Sequence, residues 1–590
     1  MCIRDSINTT LRLNYDLSSL LTKGLSVHGS IAYDSYYYSR KKYSKTFPYY
    51  LARRDAEDPD YIYLIPQSEE SIWSVSTGWD KNRKVYMEFG IDYNRTFGLH
   101  KTTALILYNQ SKYYSPSLQY YVPNAYQGLV GRLTYEYASR YLAEFNMGYN
   151  GTENFAKGKR FGFFPAVSLG WVISEEKFFP KNNIVKYLKV RGSYGEVGND
   201  QIGGDRFLYL PSSYGAASDS GVNKYNFGLA SNPYTSLMIV ENKIGNPDLT
   251  WEKAKKMNVG VDINLFNNCL TASFDIFKEK RNNILANRST SPMIIGANLP
   301  AYNFGEMENR GWEMDLNFRH HIQDFHYWAR FNYSFARNEI IYMDEVQKRY
   351  DYQMTTGRRK NQFFGLIFDG YYNSWEEINA LDRPKSSWSG NQLQPGDVKY
   401  VDVNRDGVID DYDMVPIGYT PVPEIIYGFS FGAQYKGFDF SILFQGADNV
   451  SIKYFGRSMW PFAKGEESAK SLIKERWTQE RYEAGEKITF PRLSLNPNGE
   501  TDHNYRPSTL WIRDASYLRL KNLEVGYTFT GGFVKRLNLN SVRLYFNGSN
   551  LFTWTDVVDL DPEAPSRSGN VEINTYPLQK VYNIGLNINF

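Results

Sequence analysis

Residues 402–413 hold the side chains best placed for chemistry. Asp402, Asn404, Asp406, Gly407, Val408, Asp410 and Asp413 follow the spacing D-x-N-x-D-G-x-I-D-x-x-D. A hard cation such as Ca2+ needs several oxygen ligands. In a twelve-residue loop of this pattern, positions 1, 3, 5, 9 and 12 supply side-chain oxygens, position 7 supplies a backbone carbonyl, and glycine at position 6 permits the sharp turn. The expected ligand set is therefore Asp402, Asn404, Asp406, Val408 through its carbonyl, Asp410 and Asp413. Asp413 stands where glutamate is usual, so its reach is shorter and the site should be weaker. The same residues would also order an Asx-rich turn by bonding their own backbone, and the sequence leaves both readings open.

Other chemistry finds no pattern. The six histidines form no H-E-x-x-H, and neither G-x-S-x-G nor a P-loop occurs. His320 and His321 fall in an expected turn, where solvation is the simpler reading. Glu376 and Glu377 are adjacent, which does not by itself place an acid and a base across a glycosidic bond. No catalysis is expected.

Long alternating segments must position the loop. Met257, Val259, Val261, Ile263 and Leu265 alternate with Asn258, Gly260, Asp262 and Asn264. After a turn at Asn267 and Asn268, Leu270, Ala272, Phe274 and Ile276 alternate with Thr271, Ser273 and Asp275. One face of such a hairpin is oily and the other wet. The pattern recurs in Trp312–Phe318 against Phe325–Phe335 across a turn at His320–Asp324, and in 427–435 against 438–445 around Lys436 and Gly437. It recurs again in Tyr582, Ile584, Leu586, Ile588 and Phe590, which puts Leu586 outward and Asn587 inward. About seventeen such segments are legible.

Tight turns alternate with long excursions at 202–250, 281–308, 337–424, 447–515 and 549–580. A membrane barrel has short turns at one end and long loops at the other, whereas a soluble sandwich has similar loops at both. The 49 Tyr, 36 Phe and 12 Trp fit the aromatic girdles of such a barrel. Tyr36–Tyr38 and Tyr113–Tyr114 belong to that supply, with sugar stacking as the alternative use. No apolar run reaches the 18 or so residues of a membrane helix. The net charge of +3 gives no broad cationic field, so a nucleic-acid partner is not expected. Only Cys2 and Cys269 are present, too few for a disulfide framework. One helix is expected over Glu466–Lys487, with Ala469, Leu472, Ile473 and Trp477 on one face, packed on loops or docking a partner.

Several segments then carry a family resemblance: Tyr126–Tyr141 (YQGLVGRLTYEYASRY), Phe161–Phe179 (FGFFPAVSLGWVISEEKFF), Gly192–Asp200 (GSYGEVGND), Gly245–Trp251 (GNPDLTW), Gly305–Trp312 (GEMENRGW), Pro395–Asp410 (PGDVKYVDVNRDGVID), Tyr517–Tyr527 (YLRLKNLEVGY) and Asn547–Thr555 (NGSNLFTWT). In order and position they resemble the SusC/RagA family of TonB-linked outer-membrane transporters. The alternating final strand ending on Phe590 likewise resembles an outer-membrane assembly signal.

The resemblance implies an all-β fold, a large antiparallel transmembrane β-barrel of about 22 strands with long extracellular loops and an N-terminal plug. It implies TonB-dependent import of oligosaccharide or peptide across the bacterial outer membrane, with a SusD-like surface lipoprotein and the TonB/ExbB/ExbD complex as partners and outer-membrane lipid around the wall. Residues 1–6 are set aside and 7–590 are read as barrel. With no secretory signal, plug or TonB-contact signature in the sequence, those parts are expected upstream, along with about five strands. Two other readings stay open: a TonB-dependent siderophore or vitamin receptor, and a secreted glycan-binding β-protein.

Overall fold

A side chain that alternates oily and wet every second residue cannot satisfy a helix, whose period is 3.6, but it suits a strand with two different surroundings. In the computed structural model these segments form one continuous antiparallel sheet of seventeen strands. The structure describes residues 2–54, 57–58, 60–201, 206–216, 224–229, 234–290, 299–388, 393–454, 460–462, 471–494, 502–558, 560–563, 570–571 and 578–590.

In chain order the strands of the wall are β1 (Cys2–Asp16), β2 (Leu25–Ser44), β3 (Ser74–Phe97), β4 (His100–Tyr114), β5 (Asn124–Tyr137), β6 (Tyr141–Thr152), β7 (Phe161–Val172), β8 (Val185–Asn199) and β9 (Glu252–Leu265). They continue as β10 (Leu270–Ala286), β11 (Tyr302–Ile322), β12 (Phe325–Tyr342), β13 (Ile425–Tyr435), β14 (Phe438–Asp448), β15 (Tyr517–Phe529), β16 (Ser541–Thr555) and β17 (Val581–Asn589). Each strand pairs with the next in sequence. Among the described residues β1 pairs only with β2, and β17 only with β16.

The register confirms the hairpins expected from the sequence. Val261 faces Phe274 across β9 and β10, and Phe431 faces Ile442 across β13 and β14. The turns close through left-handed residues, Asn267 and Asn268 in one and Lys436 and Gly437 in the other. Strands run further than the alternation suggested. β10 extends to Ala286 and β11 starts at Tyr302, so the excursion read at 281–308 shrinks to 287–301. β11 also runs on to Ile322, which places His320 and His321 in a strand and leaves only Gln323 and Asp324 in the turn. Backbone pairing with Tyr327 and His326 outweighs the weak turn preference of the two histidines.

The outward face is apolar and open: Leu169 is 63% exposed, Val259 58%, Ile276 56% and Ile584 80%. Contiguous apolar surface on this scale is foreign to a soluble monomer and suits lipid. At the short-turn end rings gather on that face. Phe318 lies 5.7 Å from Tyr327, Phe325 6.1 Å from Tyr435, and Phe438 4.4 Å from Tyr527, centroid to centroid. This is the aromatic girdle the composition anticipated.

The long excursions of the C-terminal half fold together into a cap with its own core. Leu366, Val398, Ile409, Phe490 and Trp511 are all buried there, drawn from 343–424 and 449–516, and Val557 joins them from 556–580. Across its described residues, 471–487, the helix expected over Glu466–Lys487 is not formed as one run. The described part is a 3-10 turn, Ser471–Glu475, and a short α-helix, Gln479–Glu483, with Ala469 outside the described residues. Trp477 breaks the run. It is buried in the cap core, its N–H donates to the Phe490 carbonyl at 2.8 Å, and its indole donates to Asn373 Oδ1 at 3.1 Å. Burying a large ring against an extended neighbour outweighs a helical period worth a fraction of a kcal/mol per residue.

Candidate functional site

The lumen face is built from the polar half of the same alternation, and its charges are paired. Arg191 on β8 donates Nη1 to Asp275 Oδ1 and Nη2 to Asp275 Oδ2, both at 2.7 Å, and Nε to Asp262 Oδ2 at 3.1 Å. This fork matches a carboxylate bidentately, which a lysine could not do. Room for it comes from Gly260, where a Cβ would lie 2.6 Å from Asp275 Oδ1 and 2.7 Å from Arg191 Cζ. On the far side, Arg543 bonds Asp439 Oδ1 at 3.0 Å and Glu524 Oε1 at 2.5 Å.

Of the recesses on this wall among the described residues, two are the larger. One, of about 570 Å³, is bordered by Lys101, Glu136, Glu144, Lys189 and Arg191. The other, about 640 Å³, lies where the wall meets the base of the cap, among Glu252, Glu279, Arg281, Asn309, Arg359 and Glu424. Glu424 is a fixed anchor in it, with only 4% of its side chain exposed. It accepts from Arg337 at 2.8 and 3.0 Å and also from Arg359. A recess lined by carboxylates, guanidinium groups and amides can hold the hydroxyls or peptide groups of an extended chain by hydrogen bonds.

Above the wall the cap is held by a buried polar network. The His503 Nε2 lies 2.7 Å from the Val398 carbonyl, which can only accept, so Nε2 carries the proton and Nδ1 accepts from Ser386 Oγ at 2.9 Å. Burial holds this imidazole below the ordinary histidine value, so it is neutral. Asn504 donates to Asp397 and accepts from the Val398 N–H, and Arg492 pairs with Asp397 at 2.6 Å.

The 402–413 loop lies in this cap and is ordered by its own bonds. Asp402 accepts from the N–H groups of Arg405 at 2.6 Å, Asp406 at 3.3 Å and Gly407 at 2.8 Å. Asn404 Oδ1 accepts from Asp406 N–H, Asp406 Oδ1 from Val408 N–H, and Asp410 Oδ1 from Tyr412 N–H. Asp413 is fully buried and accepts from Val403, Asn404 and Asp410. Burial pushes its carboxyl up while these donors pull it down. Gly407 takes φ +83°, the left-handed turn that glycine at position 6 was expected to supply. The Asx-turn reading of the spacing is thus realised. Among the described residues no three His, Cys, Asp or Glu side chains converge as a metal set. Each carboxylate oxygen offers two lone pairs, and Asp402 Oδ2, Asp406 Oδ1 and Asp410 Oδ2 retain at least one outside these bonds. The loop also carries Val408–Ile409, which pairs in parallel with Lys385–Ser386 and buries Ile409 in the cap core.

The remaining sequence candidates scatter. Tyr36–Tyr38 lie along β2, and Tyr114 at the end of β4 is stacked by Arg83 at 4.6 Å. Glu377 is paired with Lys399 at 2.5 Å.

One cluster escaped the sequence reading. Arg519, only 2% exposed, sits on β15 within the YLRLKNLEVGY segment and binds Asp561 at 2.8 Å, Glu563, and Thr553 Oγ1 at 2.9 Å. Glu563 also accepts from the Tyr517 hydroxyl at 2.5 Å. The D-x-E of the last excursion is thereby pinned to the wall. An arginine at an inward strand position was the only available signal, and its acidic partners lie 42 and 44 residues away.

This geometry can be set beside known proteins. The family model described as "TonB dependent receptor-like, beta-barrel" matches residues 3–551. TonB-dependent receptor P3 of Formosa agariphila is 28% identical over 479 residues, 78% of this chain and 45% of that protein. TonB-dependent receptor SusC of Bacteroides thetaiotaomicron is 28% identical over 477 residues, 80% of this chain and 44% of that protein. This chain thus spans about half the length of the curated relatives it matches. The RagAB peptide importer in its open-open state aligns over 100% of this chain and 62% of that chain, with TM-score 0.72 and 21% identity, a likeness of fold. With one antiparallel wall, short turns at one end, a folded cap at the other and a family model matched over nearly its whole length, the chain belongs to the TonB-dependent receptor-like β-barrel family.

Proposed function

We propose that this chain forms the wall, lumen and cap of an outer-membrane importer of nutrient oligomers, oligosaccharide or peptide, driven through TonB/ExbB/ExbD and lidded by a SusD-like lipoprotein. The observation that carries the reading is the recess of about 640 Å³ beneath the cap, whose amides and paired charges suit a hydrated oligomer. The names of the relatives support it: one is SusC and another fold neighbour is a peptide importer. The test expresses the full-length protein with its neighbouring lipoprotein and follows labelled oligosaccharide and oligopeptide pools. Saturable uptake of either pool that disappears without TonB is expected. Uptake indifferent to TonB, or competed only by ferric chelates or vitamins, would overturn the reading.

The same reading gives the 402–413 loop a Ca2+ ion, held by Asp402, Asn404, Asp406, the Val408 carbonyl, Asp410 and Asp413, which would brace the Val408–Ile409 pairing under the cap. Cleavage of the loop by protease is expected to slow several-fold with Ca2+ relative to chelator, and Asp402→Ala with Asp406→Ala should abolish the difference. Equal cleavage in all three conditions would leave the hydrogen-bonded turn alone.

A further inference from the structure

Three of the chain's six histidines, His320, His321 and His326, fall within seven residues around one turn. The β11–β12 hairpin separates them. Ile322 faces Phe325 to close the two-residue turn at Gln323 and Asp324, which makes the next pair, His321 opposite His326, a non-hydrogen-bonded one. In such a pair the Cα atoms approach to about 4.5 Å and the side chains lie closest. Here the two imidazoles lie side by side, with centroids 5.5 Å apart and planes inclined by 25°. His320 points to the opposite face, where its Nδ1 meets the Tyr327 hydroxyl at 3.2 Å within the aromatic girdle.

Both rings of the pair are exposed, and among the described residues neither makes a hydrogen bond. They share the inward face with Arg319 and Trp328, because Phe318, His320 and Tyr327 occupy the outward one. The pair therefore lies at the short-turn rim of the lumen.

We infer that His321 and His326 form a two-imidazole chelate for a late first-row divalent metal ion, Cu2+, Ni2+ or Zn2+, with water completing the coordination. Neutral imidazole is the preferred protein ligand for these ions, and the strand register holds two of them at a spacing one ion can bridge. The second ring binds at the high effective concentration set by the hairpin. The His320 ring centroid lies 6.1 Å from that of His321, but its Nδ1 is engaged by the Tyr327 hydroxyl on the other face, and no three-residue metal set occurs among the described residues.

The test uses the full-length protein in detergent with Cu2+ as the probe. The electron paramagnetic resonance spectrum at one equivalent is expected to show two coordinated nitrogens. Either His321→Gln or His326→Gln should weaken Cu2+ binding roughly tenfold or more and reduce the pattern to one nitrogen, while His320→Gln should leave both unchanged. Competition should rank Cu2+ above Ni2+ and Zn2+. A one-nitrogen spectrum in the unmodified protein, or affinity unchanged in both single variants, would overturn the assignment. The spectrum of the unmodified protein decides the question even if a variant assembles poorly.

Discussion

Replacing Ile584 by arginine is expected to cost about 2 to 4 kcal/mol of barrel stability. Ile584 is 80% exposed on the apolar face of β17, opposite Phe546 of β16. It lies five residues from Asn589, which pairs with Ser541 at the short-turn end. At a rise of about 3.4 Å per residue and a tilt near 40°, that is roughly 13 Å along the normal, about half of an apolar band some 25 Å tall. A guanidinium there meets hydrocarbon with no partner. Asn583→Arg is the control: it faces the lumen beside Asn547, with Glu524 on the same face, and should be nearly neutral. Heat-modifiable migration of the full-length protein in mild detergent measures the fraction assembled. Equal tolerance of the two substitutions would mean that the faces are exchanged, since a one-residue slip of register inverts them.

Arg519→Met is expected to release the Asp561–Glu563 segment from the wall. The arginine is almost completely enclosed, while Asp561 and Glu563 keep 12% and 21% of their side chains exposed. Removing one member of a buried ion cluster leaves its partners uncompensated, a loss of about 3 to 5 kcal/mol, here towards the lower figure because the acids are not fully enclosed. Hydrogen exchange across residues 560–563 should then rise sharply, with β15 and β16 unaffected. The triple variant Arg519→Met, Asp561→Asn, Glu563→Gln should recover part of the protection, because it removes the stranded charges as well. Unchanged exchange in Arg519→Met would show that the excursion is held by its apolar contacts and not by this cluster.

The strands were readable because each carries its own evidence. In 257–265 and 270–276 the alternation needs no partner to be recognised, and the register pairs those two segments directly. Asn267 and Asn268 marked their turn because few residues accept left-handed backbone. Boundaries were less legible. Arg281–Ala286 and Tyr302–Glu306 look irregular in sequence because a bulge near Asn283, at φ 58°, shifts the register there. His320 and His321 look like turn residues in the sequence, since nothing local distinguishes a polar strand end from the turn that follows it.

The cap shows the opposite case. The helical period around Leu472, Ile473 and Trp477 is real in the sequence, yet Trp477 serves a core assembled from excursions a hundred residues apart. The spacing of 402–413 gave both the turn and its glycine, but only the fold put Ile409 into the cap core and closed every Asx bond.

By itself the sequence determined the all-β class, the two faces of the wall, the alternation of short turns with long excursions and the family. These rest on a period of two and on turn chemistry, both local to a few residues. The tertiary structure alone decided that the excursions share one core, that Arg519 holds Asp561 and Glu563, that Arg191 forks onto Asp275, and that His321 meets His326. Such contacts depend on register and on chain reversals over tens to hundreds of residues, where one residue of slip exchanges the oily face for the wet one.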